Sequence, residues 1–239
     1  MNQTLKILFI ITLLYCKTNI ASENICFQQD SIPTNYQISS APIPTLKKNN
    51  GWKLPTGMLL SGIAFATIPP FHNIEKSIYD GFNKNPIHTT NVDDYIQYAP
   101  AAATFMLDAS GVKGKHRIGE KFILYTMGNV VAASIVHPTK YFIRRERPDK
   151  SNFRSFPSGH TSTAFVAAEL LHQEYGHISP WISAAGYGTA AFTGYLRLQN
   201  NVHWLGDVVA GAAIGIAATK ISYWLLPKIK KGIKRKKAI

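Results

Sequence analysis

Three short stretches of this chain carry the residue types that phosphate chemistry uses. The first runs from Lys140 through Arg144, Arg145 and Arg147 to Pro148, the second is Phe156-Pro157-Ser158-Gly159-His160, and the third holds Arg197, His203 and Asp207. Arginine and lysine bring fixed positive charge and donors matched to phosphate oxygens. Pro157-Ser158-Gly159 turns the chain into a helix, whose first N–H groups and positive dipole end can face an anion, and Gly159 lets that backbone come close. His203 and Asp207 stand four apart, on one face of an expected helix. The carboxylate can therefore hold one imidazole nitrogen and leave the other to attack. His160, from a different stretch, can protonate a departing oxygen as a general acid. The remaining histidines, His72, His88, His116, His137, His172 and His177, have no carboxylate in a comparable motif and read as structural or solvent-facing. Arg144, Arg145 and Lys150 read as juxtamembrane charges that meet anionic headgroups.

The elements that must position these residues follow from composition. Charged residues make up 16% and hydrophobic ones 46%, against about 25% charged in an ordinary soluble domain, and a membrane explains the shortfall. Lys plus Arg number 26 and Asp plus Glu 13, a formal charge of +13 that points to an anionic partner. Seven of the basic residues crowd the last twelve positions and six more lie between Lys140 and Arg154. Two clusters at a membrane favour lipid headgroups and a phosphorylated substrate over nucleic acid. Charge-poor segments of helical character occupy Leu54–Phe71, Tyr95–Leu107, Phe122–Thr139, Thr161–Leu171, Ile178–Leu196 and Val208–Pro227. The mean hydropathy is only −0.05 because Ala, Gly, Ser and Thr replace Leu. Such small residues are what packed membrane helices place at their contacts, as with Gly211 and Gly215, or Gly186, Ala190 and Gly194. The expected fold is an all-α, membrane-embedded bundle of about six helices.

Residues 1–22 read as a signal peptide or anchor and 23–52 as an extended lead-in. A helical domain follows at 53–227, and 228–239 form a basic tail. The positive-inside rule puts that tail in the cytoplasm, residues 140–160 and 197–207 outside, and Val112–Lys121 inside. A removed signal peptide leaves the new N-terminus outside, yet Leu54–Phe71 should begin inside. Either the signal stays, or that segment does not cross. Cys16 and Cys26 are too few for a disulfide scaffold and lack the partners of a structural zinc site.

These residues resemble the type 2 phosphatidic acid phosphatase superfamily, whose signature has three parts. Lys140 to Arg147-Pro148 fits the first, Pro157-Ser158-Gly159-His160 the second, and Arg197, His203 and Asp207 the third. With its flanking helices the resemblance covers about residues 95–226. One position departs: Leu196 stands where the family has serine, so another donor such as Thr193 would have to supply that contact. The resemblance implies that His203 attacks phosphorus to give a phosphohistidine, with Asp207 orienting it and His160 protonating the leaving alcohol. It implies that Lys140, Arg147, Ser158, Gly159 and Arg197 bind the phosphoryl oxygens, and it implies no metal and no cofactor.

A site at the outer membrane–water boundary favours a lipid phosphate, placing the protein in a bacterial inner membrane with its site toward the periplasm. The stretch Asp93-Asp94-Tyr95-Ile96-Gln97-Tyr98-Ala99-Pro100, with Gly111 to Lys115, is similar to family members grouped with lipid A phosphatases. Undecaprenyl diphosphate and phosphatidylglycerophosphate are the nearest competing substrates. A soluble periplasmic acid phosphatase would explain the signal peptide but not the tail. A lipid-binding or carrier protein would explain the charge but not the His203/Asp207 pair, and a vanadium haloperoxidase fits a longer, less membrane-like chain.

Overall fold

The computed structural model describes residues 51–83 and 90–237. Among these residues the regular structure is entirely helical: α1 (Lys53–Thr67), α2 (Pro69–Asn83), α3 (Val92–Ile96), α4 (Ala99–Ala109), α5 (Ile118–Ile143), α6 (Gly159–Tyr175), α7 (Pro180–Gln199) and α8 (Leu205–Lys237). The signal peptide or anchor, and all but the last two residues of the lead-in, lie outside the described residues.

Local chemistry sets several of the boundaries. Ser158 caps α6 by accepting from the Thr161 N–H, and Ser179 caps α7 by accepting from the Trp181 N–H, with Pro180 in the first turn. α5 stops where Arg144 takes the left-handed conformation, φ 48° and ψ 44°. The charge-poor stretch Leu54–Phe71 proves to be two elements rather than one. Ile68 is extended, and Pro69 and Pro70 start a new helix bent by 87° from the first. The stretch Tyr95–Leu107 likewise divides, because α3 ends before Pro100 opens α4. The basic tail is no separate segment up to Lys237, since α8 continues through Pro227. By length and composition α8, over Leu205–Ile233, suffices to cross a membrane, and the bent pair α1–α2 would give a second span. The other helices fall short because the small residues that bring them together dilute their hydropathy.

α6 is the central helix, packed against α4, α5, α7 and α8. Its Val166 joins Ala132 and Val136 of α5 with Ile214 and Ala218 of α8 in one apolar cluster, and Leu170 joins Leu124 and Leu226 in another. The small residues of α8 make this closeness possible. A Cβ at Gly211 would stand 2.5 Å from the Ser158 carbonyl oxygen, and one at Gly215 would stand 2.4 Å from that of Ser162. α1 lies antiparallel along α8, with Gly62 at Gly206 and Ala210 and Leu59 against the cluster that holds Ile214 and Ala218. α1 therefore starts at the pole opposite the N-terminus of α8.

The helix ends sort into two poles. The C-terminal ends of α5 and α7 meet the N-terminal ends of α6 and α8 at one of them. At the other, buried Lys121 pairs with Asp108 at 2.7 Å and with the Tyr175 hydroxyl at 2.8 Å, while buried Glu174 accepts from the His116 N–H at 2.9 Å. His116 is thus a structural partner of Glu174, as His72 is of Glu75. Closing one pole in this way leaves the other to be built from the three stretches described above.

Gly211→Ala should cost about 1–3 kcal/mol, because the methyl meets backbone that cannot give way cheaply. Thermal unfolding in detergent would show it as a lowered Tm. Gly119→Ala, with nothing within 4 Å of the added carbon, is the control and should melt like the parent.

Candidate active site

Asp207 is where the three stretches meet. It occupies the third position of α8, fully buried, and its Oδ2 accepts from the backbone N–H of Trp204 at 2.9 Å. This is the backward reach of a capping box, with Trp204 as the N-cap. The same carboxylate accepts from the Ser155 hydroxyl and from Arg145 Nη1 at 2.8 Å, and the Asp207 carbonyl accepts from the Ser158 N–H at 2.9 Å. His203 Nδ1 stands 3.5 Å from Oδ2. His203 is not on the helix, as its spacing from Asp207 suggested. It lies in the turn before α8, because the capping box starts the helix at Leu205.

His203 is 3% exposed, and its Nδ1 is buried with no hydrogen-bond partner among the described residues. Burial, aided by the charges of Lys140 and Arg197, pushes its pKa down to about 4 against the pull of Asp207. The ring is therefore neutral at pH 7, the form in which a histidine can act as a nucleophile.

The cations converge on the same place. Burial, and then the nearby charge of Arg197, hold the Arg147 guanidinium below its usual range. The Nε atoms of Arg147 and Arg197 are buried without partners among the described residues. Buried guanidinium N–H groups left in this condition are suited to an anion. Lys140 Nζ donates to the carbonyls of Arg154, at 2.7 Å, and Ser155, at 3.3 Å. Two of its three donors thus fix the loop, leaving one for a ligand. Ser158 is buried, with its hydroxyl accepting from Thr161 and its N–H committed to Asp207. A Cβ at Gly159 would meet only Val136, at 3.9 Å, so packing does not require glycine there and the side facing the site is open to a ligand. Thr193 does not replace the serine missing at Leu196. Its hydroxyl donates to the Thr189 carbonyl at 3.1 Å, and Leu196 is itself buried.

Several further residues complete the arrangement. Arg145 is not a headgroup charge: it is one-tenth exposed and bridges Asp207 to Glu75 of α2. Glu75, 1% exposed, also accepts from the Gly206 N–H at 2.6 Å and so caps the N-terminus of α8. Asp93 of α3 pairs with Arg197 Nη1 and accepts from Asn200 at 3.1 Å, while Asp94 meets His160 Nε2 at 2.8 Å. Burial and the charge of Arg197 lower the pKa of His160, and Asp94 and Asp93 oppose them. Asp93, Asp94 and His160 also present three ligand atoms within 4.8 Å of one another. No spacing signal points to Glu75 or Arg145, which meet across 70 residues of chain. Asp93-Asp94 carries a weak one, a tandem of acids in a chain with half as many acids as bases.

Residues 121–231 match the model of the PAP2 superfamily. A lipid A 1-phosphatase of Porphyromonas gingivalis is 42% identical over 137 residues, which is 57% of this chain and 31% of that protein. This chain thus spans about a third of the length of the curated relative it matches. In fold, the crystal structure of a transmembrane PAP2-type phosphatidylglycerolphosphate phosphatase from Bacillus subtilis aligns with 74% of this chain and 97% of its own. The TM-score is 0.52 and the identity 20%.

Two outcomes follow from the electrostatics. If neutral His203 attacks and protonated His160 delivers the proton, kcat/KM should rise as pH climbs through about 4 and fall as it passes the lowered pKa of His160. Asp94→Asn removes a group that raises the His160 pKa, so the alkaline limb should move to lower pH while the acid limb stays in place. Arg145→Gln leaves Asp207 and Glu75 as buried carboxylates without their cation and should cost about 3–5 kcal/mol. Adding Glu75→Gln should recover part of that loss, which a double-mutant cycle of unfolding free energies would measure.

Proposed function

We propose, from the match of residues 121–231 to the PAP2 superfamily model, that the chain is a membrane-bound lipid phosphate phosphatase acting on lipid A. The observation that carries the reading is the meeting of a neutral, buried His203 with Arg147 and Arg197, whose Nε atoms have no hydrogen-bond partner among the described residues. In this reading Lys140, Arg147 and Arg197 hold the phosphoryl oxygens with the Gly159 N–H at the start of α6, while Ser158, its N–H taken by the Asp207 carbonyl, caps that helix. His203 Nε2 attacks phosphorus in line, forming an N–P bond as the bond to the lipid oxygen breaks. His160 gives its proton to that oxygen, then takes one from the water that hydrolyses the phosphohistidine, and inorganic phosphate leaves. Asp207 acts by holding His203. Its carboxylate already accepts from Arg145, Ser155 and the Trp204 N–H, which weakens it as a proton acceptor and suits it to orienting the ring. Fixed charge around the phosphoryl group supplies the electrostatic part of the catalysis.

Lipid A is favoured by the 42% identity, over 137 residues, to a protein of that activity. A bilayer setting is supported by large apolar side chains on the bundle's exterior, among them Phe122 and Val130 of α5, Trp181 and Phe192 of α7 and Trp224 of α8. An exposed surface of this kind suits lipid better than water. The sites of charge lie at the ends of these helices, at headgroup depth. With the basic end of α8 in the cytoplasm, the site faces the periplasm from the inner membrane.

Purified protein should release phosphate from lipid A faster than from undecaprenyl diphosphate, phosphatidylglycerophosphate or phosphatidic acid. His203→Ala should leave less than about 1% of that activity while the protein still folds, since loss of a nucleophile usually exceeds 10³-fold. EDTA should leave the rate unchanged. Abolition that zinc or magnesium restored would mean that Asp93, Asp94 and His160 hold a catalytic metal.

A further inference from the structure

Beside the catalytic pocket, sharing Lys140 with it, lies a separate cleft of about 390 Å³ lined by Lys140, Tyr141, Arg144, Asn152, Phe153 and Arg154. Its lining holds three cations and no acid. Elsewhere at this pole Arg145 pairs with Glu75 and Asp207, and Arg197 pairs with Asp93. Arg154 lies over the Tyr141 ring at 4.7 Å, which holds its guanidinium at the wall. Arg144 ends α5 in the left-handed conformation, so its backbone direction departs from that of the helix there. Tyr141 and Phe153 are 61% and 56% exposed and form an apolar lip. A cationic recess with an aromatic rim, one side chain away from a phosphate-binding pocket, matches a lipid headgroup that carries a second phosphate.

We propose that this cleft binds the second phosphate of a doubly phosphorylated lipid while the first sits at His203, with Arg144 and Arg154 as its ligands. The proposal rests on the phosphatase reading for the identity of the first pocket. Binding and turnover are therefore to be measured apart. The two residues lie outside the machinery at His203, so their loss should discriminate between lipids rather than slow the chemistry.

In neutral detergent micelles, the Arg144→Gln/Arg154→Gln variant should show KM for bisphosphorylated lipid A raised about tenfold to a hundredfold, the usual weight of one or two charge-assisted hydrogen bonds. Its kcat and KM for monophosphorylated dioleoyl phosphatidic acid should stay within twofold of the parent. The same pair of changes placed on His203→Ala should weaken binding of the bisphosphorylated lipid by the same factor, measured by fluorescence titration without any turnover. A parent that hydrolyses neither lipid would overturn the phosphatase reading, whereas this binding difference would still uphold the cleft. Equal loss for both lipids, or a loss seen only in vesicles containing anionic phospholipid, would make Arg144 and Arg154 general headgroup contacts and overturn the proposal. So would no loss at all.

Discussion

A single buried carboxylate organises the site. Asp207 accepts hydrogen bonds from Arg145, Ser155 and the Trp204 backbone, stands beside His203, and offers its carbonyl to Ser158. Those partners come from the loop after α5, the entrance to α6 and the turn before α8. Burying a carboxylate is costly unless it is paired and hydrogen-bonded, so the loop, the turn and the helix start are held in the one geometry that satisfies it. The position of the nucleophile candidate is therefore set by the same group that starts the helix behind it.

The positive charge of the chain is distributed with a purpose that its total does not reveal. Arg145 is neutralised by Glu75 and Asp207, and Arg197 is drawn toward Asp93. These pairs hold guanidinium groups in place, and the Nε atoms of Arg147 and Arg197 are buried with no hydrogen-bond partner among the described residues. Low local dielectric makes such donors effective toward an anion. The four acids that serve these pairs and His160, namely Glu75, Asp93, Asp94 and Asp207, lie on three helices, so α2 and α3 are as much a part of the site as the helices that bear the motifs.

Packing of the bundle serves the same end. Gly211 lets α8 approach the Ser158 carbonyl, and Gly215 lets it approach that of Ser162. That closeness puts the start of α6 within reach of Asp207. Small residues such as Gly211 and Gly215 lie at the helix contacts while large apolar ones such as Phe122, Trp181 and Trp224 lie on the outside, the reverse of the usual pattern of a soluble bundle.

The sequence alone carried the candidate set, because Lys140, Arg147, His160, Arg197, His203 and Asp207 are tied to fixed local spacings that are legible without a fold. It also carried the all-helical class, through charge-poor stretches of helical length. It could not carry the break at Ile68, where two prolines turn one apolar stretch into two helices, nor the place of His203 ahead of α8 rather than on it. Above all it could not show that Arg145 faces inward to Glu75 and Asp207, or that Asp93 and Asp94 divide between Arg197 and His160. Those are contacts across 62 to 104 residues of chain. Local spacing fixes which groups share a helix face, but only the packing of helices decides which charge is buried beside which.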